Sequence, residues 1–165
     1  MLIIFASIAG CGAAPETGQL APAGGAVGAL VISKGCIAEP IGTKLAVLYF
    51  TVVNRGKEDE ALVAVAVEGT DRSDLHRTVS RGGLAWMEAT TEIAIPAGGS
   101  LAFAPGGNHV MVQDSAKHLR RGALVRVRLV FRRSGSHRFP MPVVAYRDLD
   151  QCVADASPRI VRRSE

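Results

Sequence analysis

The chain has 165 residues, 48% of them hydrophobic, with eighteen glycines, eight prolines and a formal net charge of +4. That is enough for one domain with a real core. Glycine, proline and valine are frequent and few runs keep helical spacing, which sets aside a helical bundle and points to an all-β domain of short strands and turns.

Met1 to Gly10 is apolar but too short to span a bilayer, and Cys11 follows at once. Ile8-Ala9-Gly10-Cys11 resembles the lipobox of bacterial lipoproteins, which implies acylation of Cys11 and an exported, lipid-tethered protein. No Lys or Arg precedes the apolar run, a departure from that pattern. The expected organisation is a signal segment over 1–10, a flexible Ala/Gly/Pro tether over 11–28, one β-domain over 29–147 and a loose polar tail over 148–165. Export also makes nucleic acid an unsuitable partner for the basic surface implied by a pI near 9.3.

Leu30 to Ser33 reads as a short first strand, with a turn at Ile41-Gly42. Leu45 to Asn54 (LAVLYFTVVN) is the strongest strand signal, apolar enough to be buried on both sides. Ala61 to Val67 follows across a polar segment that reads as a hairpin loop. Asp74 to Val79, Leu84 to Glu88, Thr91 to Ile95 and Ser100 to Phe103 are shorter strands separated by Gly-rich or polar turns, a rhythm that suits a sandwich or barrel. Leu124 to Phe131 alternates Val125, Val127, Leu129 and Phe131 against Arg126 and Arg128, the pattern of a half-buried strand. His137 to Val144 carries Pro140 and Pro142 and reads as an edge strand.

The chemistry gathers at Pro105-Gly106-Gly107-Asn108-His109-Val110-Met111. A tight turn feeds a strand on which His109 and Met111, two apart, share a face. A thioether has no useful proton chemistry but ligates Cu(I) well, so this pairing suits a soft cation. His76 and Met87 are the candidates for the remaining ligands. Ten residues separate them, enough for two short antiparallel strands and a turn; twenty-one more lead to His109. Zinc fits less well because it rarely takes Met, and blue-copper electron transfer needs a thiolate that no nearby residue supplies. Trp86 is expected to face away from Met87's side of its strand.

The spacing His76, Met87, His109, Met111 resembles the signature of the periplasmic copper chaperone family (PCuAC). The words Leu48-Tyr49-Phe50-Thr51-Val52-Val53-Asn54, Leu75-His76-Arg77-Thr78 and Ile95-Pro96-Ala97-Gly98-Gly99 are similar to that family as well, over about Leu30 to Val144. The resemblance implies a cupredoxin-like (immunoglobulin-like) β-barrel that binds Cu(I) through these four side chains. It also implies copper delivery to an acceptor, such as a cytochrome c oxidase subunit or its assembly factor.

With Cys11 acylated, Cys36 and Cys152 remain as a pair in an oxidising compartment. A disulfide between them and free thiols acting as extra ligands both stay open. From Lys117 to Arg138 there are eight basic residues and no Asp or Glu; a solvated sheet face and a docking patch for an anionic partner both account for it. His118, His137 and Met141 fall outside the pattern and read as structural. No nucleophile elbow, phosphate loop or Cys-x-x-Cys motif is present, so the chain reads as a binding protein rather than an enzyme. The expected state is a monomer in the periplasm or cell envelope. Copper sequestration and a metal-free envelope interaction module are the alternatives, and a closed, buried site would favour storage.

Overall fold

A computed structural model describes residues 25–40, 44–113 and 118–153. The signal segment, Cys11, most of the tether, the Ile41-Gly42 turn and the tail beyond residue 153 lie outside the described residues. Eleven strands run in chain order: β1 Gly25–Val27, β2 Leu30–Ala38, β3 Leu45–Asn54, β4 Glu60–Val67, β5 Arg72–Arg81, β6 Leu84–Thr90, β7 Ile93–Ile95, β8 Ser100–Phe103, β9 His109–Gln113, β10 Leu124–Phe131 and β11 Gly135–Val144. A 3-10 turn, Tyr146–Asp148, leads into one short helix, α1 Leu149–Val153. The expected all-β class is what the chain adopts.

The strands are ordered β6-β5-β9-β3-β2-β11-β10-β4-β7, with β1 added to β2 and β8 to β3. All pairings are antiparallel except β11 with β2. Two curved layers result, one built on β3, β5, β6 and β9, the other on β4, β10 and β11. Alternate residues of each fill the space between them: Leu48, Phe50 and Val52 from β3, Leu75 from β5, Val110 and Val112 from β9, Val127 and Leu129 from β10. Phe50 stacks on Phe103 with ring centroids 4.2 Å apart. The residues between these buried positions therefore point outward on each layer.

The strand bounds at β3, β8 and β10 match the sequence reading residue for residue. Four expectations are corrected. The segment after β3 is not a hairpin loop, because β4 pairs with β10 and β7 rather than with β3. It crosses between layers and is fixed by Asn54, whose amide donates to the carbonyls of Glu58 and Ile95 and accepts from the Gly56 N–H. Nor is β11 an edge strand, for it lies between β10 and β2. The Val143 N–H donates to Ala123 on the β10 side, so Pro140 and Pro142, three and one residues before it and of the opposite parity, turn their missing donors the other way. There the parallel pairing with β2 begins only at Val143, and no ladder bond is lost.

The third correction is at β1, which takes Gly25–Val27 out of the expected tether and into the sheet. The fourth is at α1, which lies in the expected loose tail. Leu149 of α1 is buried with Cys36, Ala38 and Tyr49 on the outward side of β2 and β3. A bulge in β2 makes this possible. Between Ser33 and Cys36 the register slips, Lys34 takes a positive φ of 54° and Gly35 passes so close to Met141 that a Cβ there would lie 2.8 Å from its sulfur. One extra residue flips the alternation, so Leu30 and Ile32 face the core before the bulge whereas Ile37 does so after it. Cys36 is thereby turned outward, where it is disulfide-bonded to Cys152 with Cα atoms 6.4 Å apart.

Candidate metal centre

The four candidate ligands come from three adjacent strands. The β5–β6 hairpin turns through Gly82 and Gly83, both at positive φ, the requirement of a two-residue turn of this hand. That fixes the register in which Thr78 is opposite Met87 and His76 opposite Ala89. On the other side of β5, His76 is opposite His109, and Asp74 opposite Met111. Directly opposed residues share a face, as do residues two apart. His76, Met87, His109 and Met111 therefore all project from the outward side of the β5–β6–β9 layer, while Leu75, Val110 and Val112 project into the core.

The two histidines are brought together, with ring centroids 5.6 Å apart and planes inclined by 27°. Met111 stands one diagonal step from His76 toward Asp74, and Met87 one diagonal step the other way toward Thr78. The methionines thus flank the imidazole pair from opposite sides, at separations that long, flexible thioether arms can close. Exposure falls steeply across the set: Met87, on the edge strand β6, is 59% exposed, whereas His109 is only 6% exposed. Trp86 pairs with Val79 rather than with a site residue, so it faces away from Met87, and its indole N–H donates to Glu88.

The turn before β9 sets the orientation of His109. Gly106 adopts a φ of 75°, and the Gly107 N–H donates to Ala104. The Gly107 carbonyl then accepts from the Thr78 hydroxyl at 3.2 Å and lies 3.0 Å from His109 Nδ1. An Nδ1–H held by a carbonyl leaves Nε2 with its lone pair free for a cation. His76 complements this arrangement, since its Nδ1 is buried and has no hydrogen-bond partner. A buried acceptor left unmade costs about 1–3 kcal/mol, a cost that a metal ion at this atom removes.

The surroundings disfavour a charge on His76. Burial, and then the neighbouring His109, push the His76 pKa below its ordinary value, against a smaller opposing pull from Asp74. Asp74 is itself tied to Arg72 at 2.7 Å. Among the described residues no group of three or more His, Cys, Asp or Glu assembles; the two imidazoles and two thioethers share one outward face. Cys36 and Cys152 are bonded to each other and add no thiolate to it. His137 lies 2.5 Å from the Ser134 carbonyl on the far layer, and Met141 is fully buried. Sequence reasoning passed over Asp74, Thr78 and the Gly107 carbonyl; the positions two before and two after His76 were the available signal for the first two.

Comparisons with known proteins agree with this arrangement. The LpqE-like lipoprotein family model matches residues 30–143, more than half of the chain. A protein of Leifsonia xyli subsp. xyli (strain CTCB07), carrying the name lipoprotein Lxx21020, is 30% identical over 103 residues; the match takes in 62% of this chain and 62% of that relative's length. Among solved structures, the copper-bound PCuAC domain from PmoF2 superposes with a TM-score of 0.63 at 26% identity, covering 74% of this chain and 97% of that one. The apo PCuAC domain from PmoF1 gives 0.63 at 28% identity, covering 74% and 98%. Cu(I)-bound DR1885 from Deinococcus radiodurans shares the fold, with a TM-score of 0.58 at 24% identity over 73% of this chain and 79% of that one. The chain belongs to the LpqE-like lipoprotein family, and its domain has the cupredoxin-like fold of the PCuAC domains.

Proposed function

We propose that this protein is a copper chaperone of the cell envelope, which takes one Cu(I) ion as cargo between His76, Met87, His109 and Met111. The observation that carries the reading is the opposed His76–His109 pair, flanked by two methionines, with a buried His76 Nδ1 that has no protein partner. Two imidazoles and two thioethers are neutral donors. They favour the soft monovalent ion and need no proton release from sulfur. The similarity to copper-bound PCuAC domains supports the same cargo.

Release follows from the gradient of exposure. Met87 stands on an edge strand open to solvent, so an incoming thioether, imidazole or thiolate from an acceptor reaches the ion on that side. The weakly held Met87 sulfur gives way first, and the deeper His109 and Met111 hold the ion until the exchange is complete. Such a site favours transfer over closed storage. The acceptor we propose is a copper-site protein of cytochrome c oxidase assembly, with the chaperone held at the membrane by a lipid on Cys11.

The test is anaerobic competition for Cu(I) with a chromogenic chelator, comparing the parent with the Met87→Leu plus Met111→Leu variant. One tightly bound equivalent in the parent, largely lost in the variant, is expected. Equal binding by both proteins, or none by the parent, sinks the proposal.

A further inference from the structure

The outward face of the second layer carries a different chemistry. Arg128 on β10 is directly opposite Arg138 on β11. Since the odd-numbered β11 residue Val143 donates across to the β10 side, these even-numbered positions form a pair without ladder bonds, where opposed side chains stand closest. Like charges opposed in this way destabilise a sheet. Neither arginine forms an ion pair among the described residues, although Arg126, Arg132 and Arg133 each have a glutamate. The two arginines, with Arg126 and Glu68, line an open groove of about 460 Å³ floored by Ala66 and Val67. Glu68 is held by Arg126 through two hydrogen bonds, so the groove keeps a net positive charge.

We propose that this face binds an anionic phospholipid surface. Three observations favour a bilayer over an acidic protein. On the same side of β10, Leu124 is 60% exposed beside the arginines and opposite Pro142, giving apolar side chains for the headgroup boundary next to cations for the phosphates. The thirteen residues between Cys11 and Gly25 span at most about 50 Å, so a lipid on Cys11 holds the domain near the membrane and leaves the choice of face to these side chains. Finally, the candidate copper ligands project from the other layer. Docking through Arg128 and Arg138 leaves them directed away from the lipid, open to a partner. Only this last observation leans on the copper reading; the other two stand without it.

The full chain carrying Cys11→Ser, and so unacylated, is mixed with vesicles of phosphatidylcholine alone or of phosphatidylcholine and phosphatidylglycerol in equal parts, and sedimented. No Lys or Arg precedes Lys34, so no basic side chain of the leading segment draws the chain to the anionic vesicles. The expected result is about a ten- to thirty-fold preference for the anionic vesicles at low salt, shrinking at ~0.15 M salt. Arg128→Gln with Arg138→Gln should abolish most of that preference with an unchanged far-UV spectrum and a melting temperature no lower than the parent's. Lysine at both positions should preserve it. Equal partition into both vesicles, a preference kept by the glutamine variant or lost by the lysine variant, or tighter binding to polyglutamate than to anionic vesicles would each overturn the proposal.

Discussion

His76 and His109 stand directly opposite each other on β5 and β9, their rings 5.6 Å apart between centroids. Opposition on adjacent strands is what turns two residues thirty-three positions apart into one bidentate surface. Because burial and the neighbouring His109 both disfavour a charge on His76, its ring is held toward the neutral imidazole, the form that offers a lone pair.

The exposure gradient separates the effect of each ligand on stability from its effect on copper. Met87→Leu removes a sulfur from a largely exposed side chain, so unfolding free energy should stay within about 0.5 kcal/mol of the parent, while Cu(I) affinity falls by about ten-fold or more. His109→Ala deletes a buried ring and its bond to Gly107, and should cost about 1–3 kcal/mol as well as the affinity. Urea unfolding beside chelator competition distinguishes the two. A Met87 variant that binds Cu(I) like the parent would remove that residue from the ligand set.

The depressed His76 pKa sets the pH response. Its ordinary value is 6.5 and its folded value lies below that. Stability from the neutral ring is therefore complete above pH 6.5 and is lost as the pH falls from there toward the folded value. Protons compete with Cu(I) at this atom only in the lower range. Affinity measured from pH 8 downward should stay level through pH 6.5 and decline below it. A decline beginning above pH 7 would contradict the depressed pKa.

Glu60 offers a test of the scaffold apart from the site. Its carboxylate is buried and accepts from the N–H groups of Ala61, Arg133 and Ser134 and from the Ser134 hydroxyl. Burial pushes its pKa up, but these hydrogen bonds outweigh burial, and the net shift is downward from 4.5. Its contribution is thus present above pH 4.5 and lost as the pH falls through the folded value. Glu60→Gln should destabilise by about 2–3 kcal/mol at neutral pH, and the gap to the parent should narrow on acidification. A gap independent of pH would show that shape rather than charge holds the β10–β11 turn.

Much of this was legible in the sequence because strand periodicity and turn chemistry are local. The β3, β8 and β10 bounds follow from alternation and Gly/Pro punctuation, and the shared face of His109 and Met111 from a spacing of two. What escaped depends on register between distant segments. Gly35 inside a strand pattern is a local mark of a bulge or close approach, but what it approaches, Met141, lies more than a hundred residues away. Pro140 and Pro142 pointed to an edge since the sequence does not show which side their missing donors face. The exposure of Met87 relative to His109 follows from β6 lying at the end of the sheet, a property of the whole topology.

The disulfide couples these scaffold features to the site's surroundings. Cys36 and Cys152 close a loop spanning 116 positions, and the helix they retain covers Tyr49 on β3, with Val47 packed against the same cluster. Val47 is paired with Met111, so the bond buttresses the strand beside the site without touching a candidate ligand. Cys36→Ser with Cys152→Ser should lower unfolding free energy by about 2–4 kcal/mol, a fall in melting temperature on the order of 10 °C. Chelator competition at a temperature where the variant remains folded should show Cu(I) affinity within about three-fold of the parent, because β5, β6 and β9 keep their pairing. Reducing the parent with a thiol-free phosphine should reproduce both results. A loss of affinity as large as that expected for Met87→Leu would show instead that the helix and its bond hold Met111 in place.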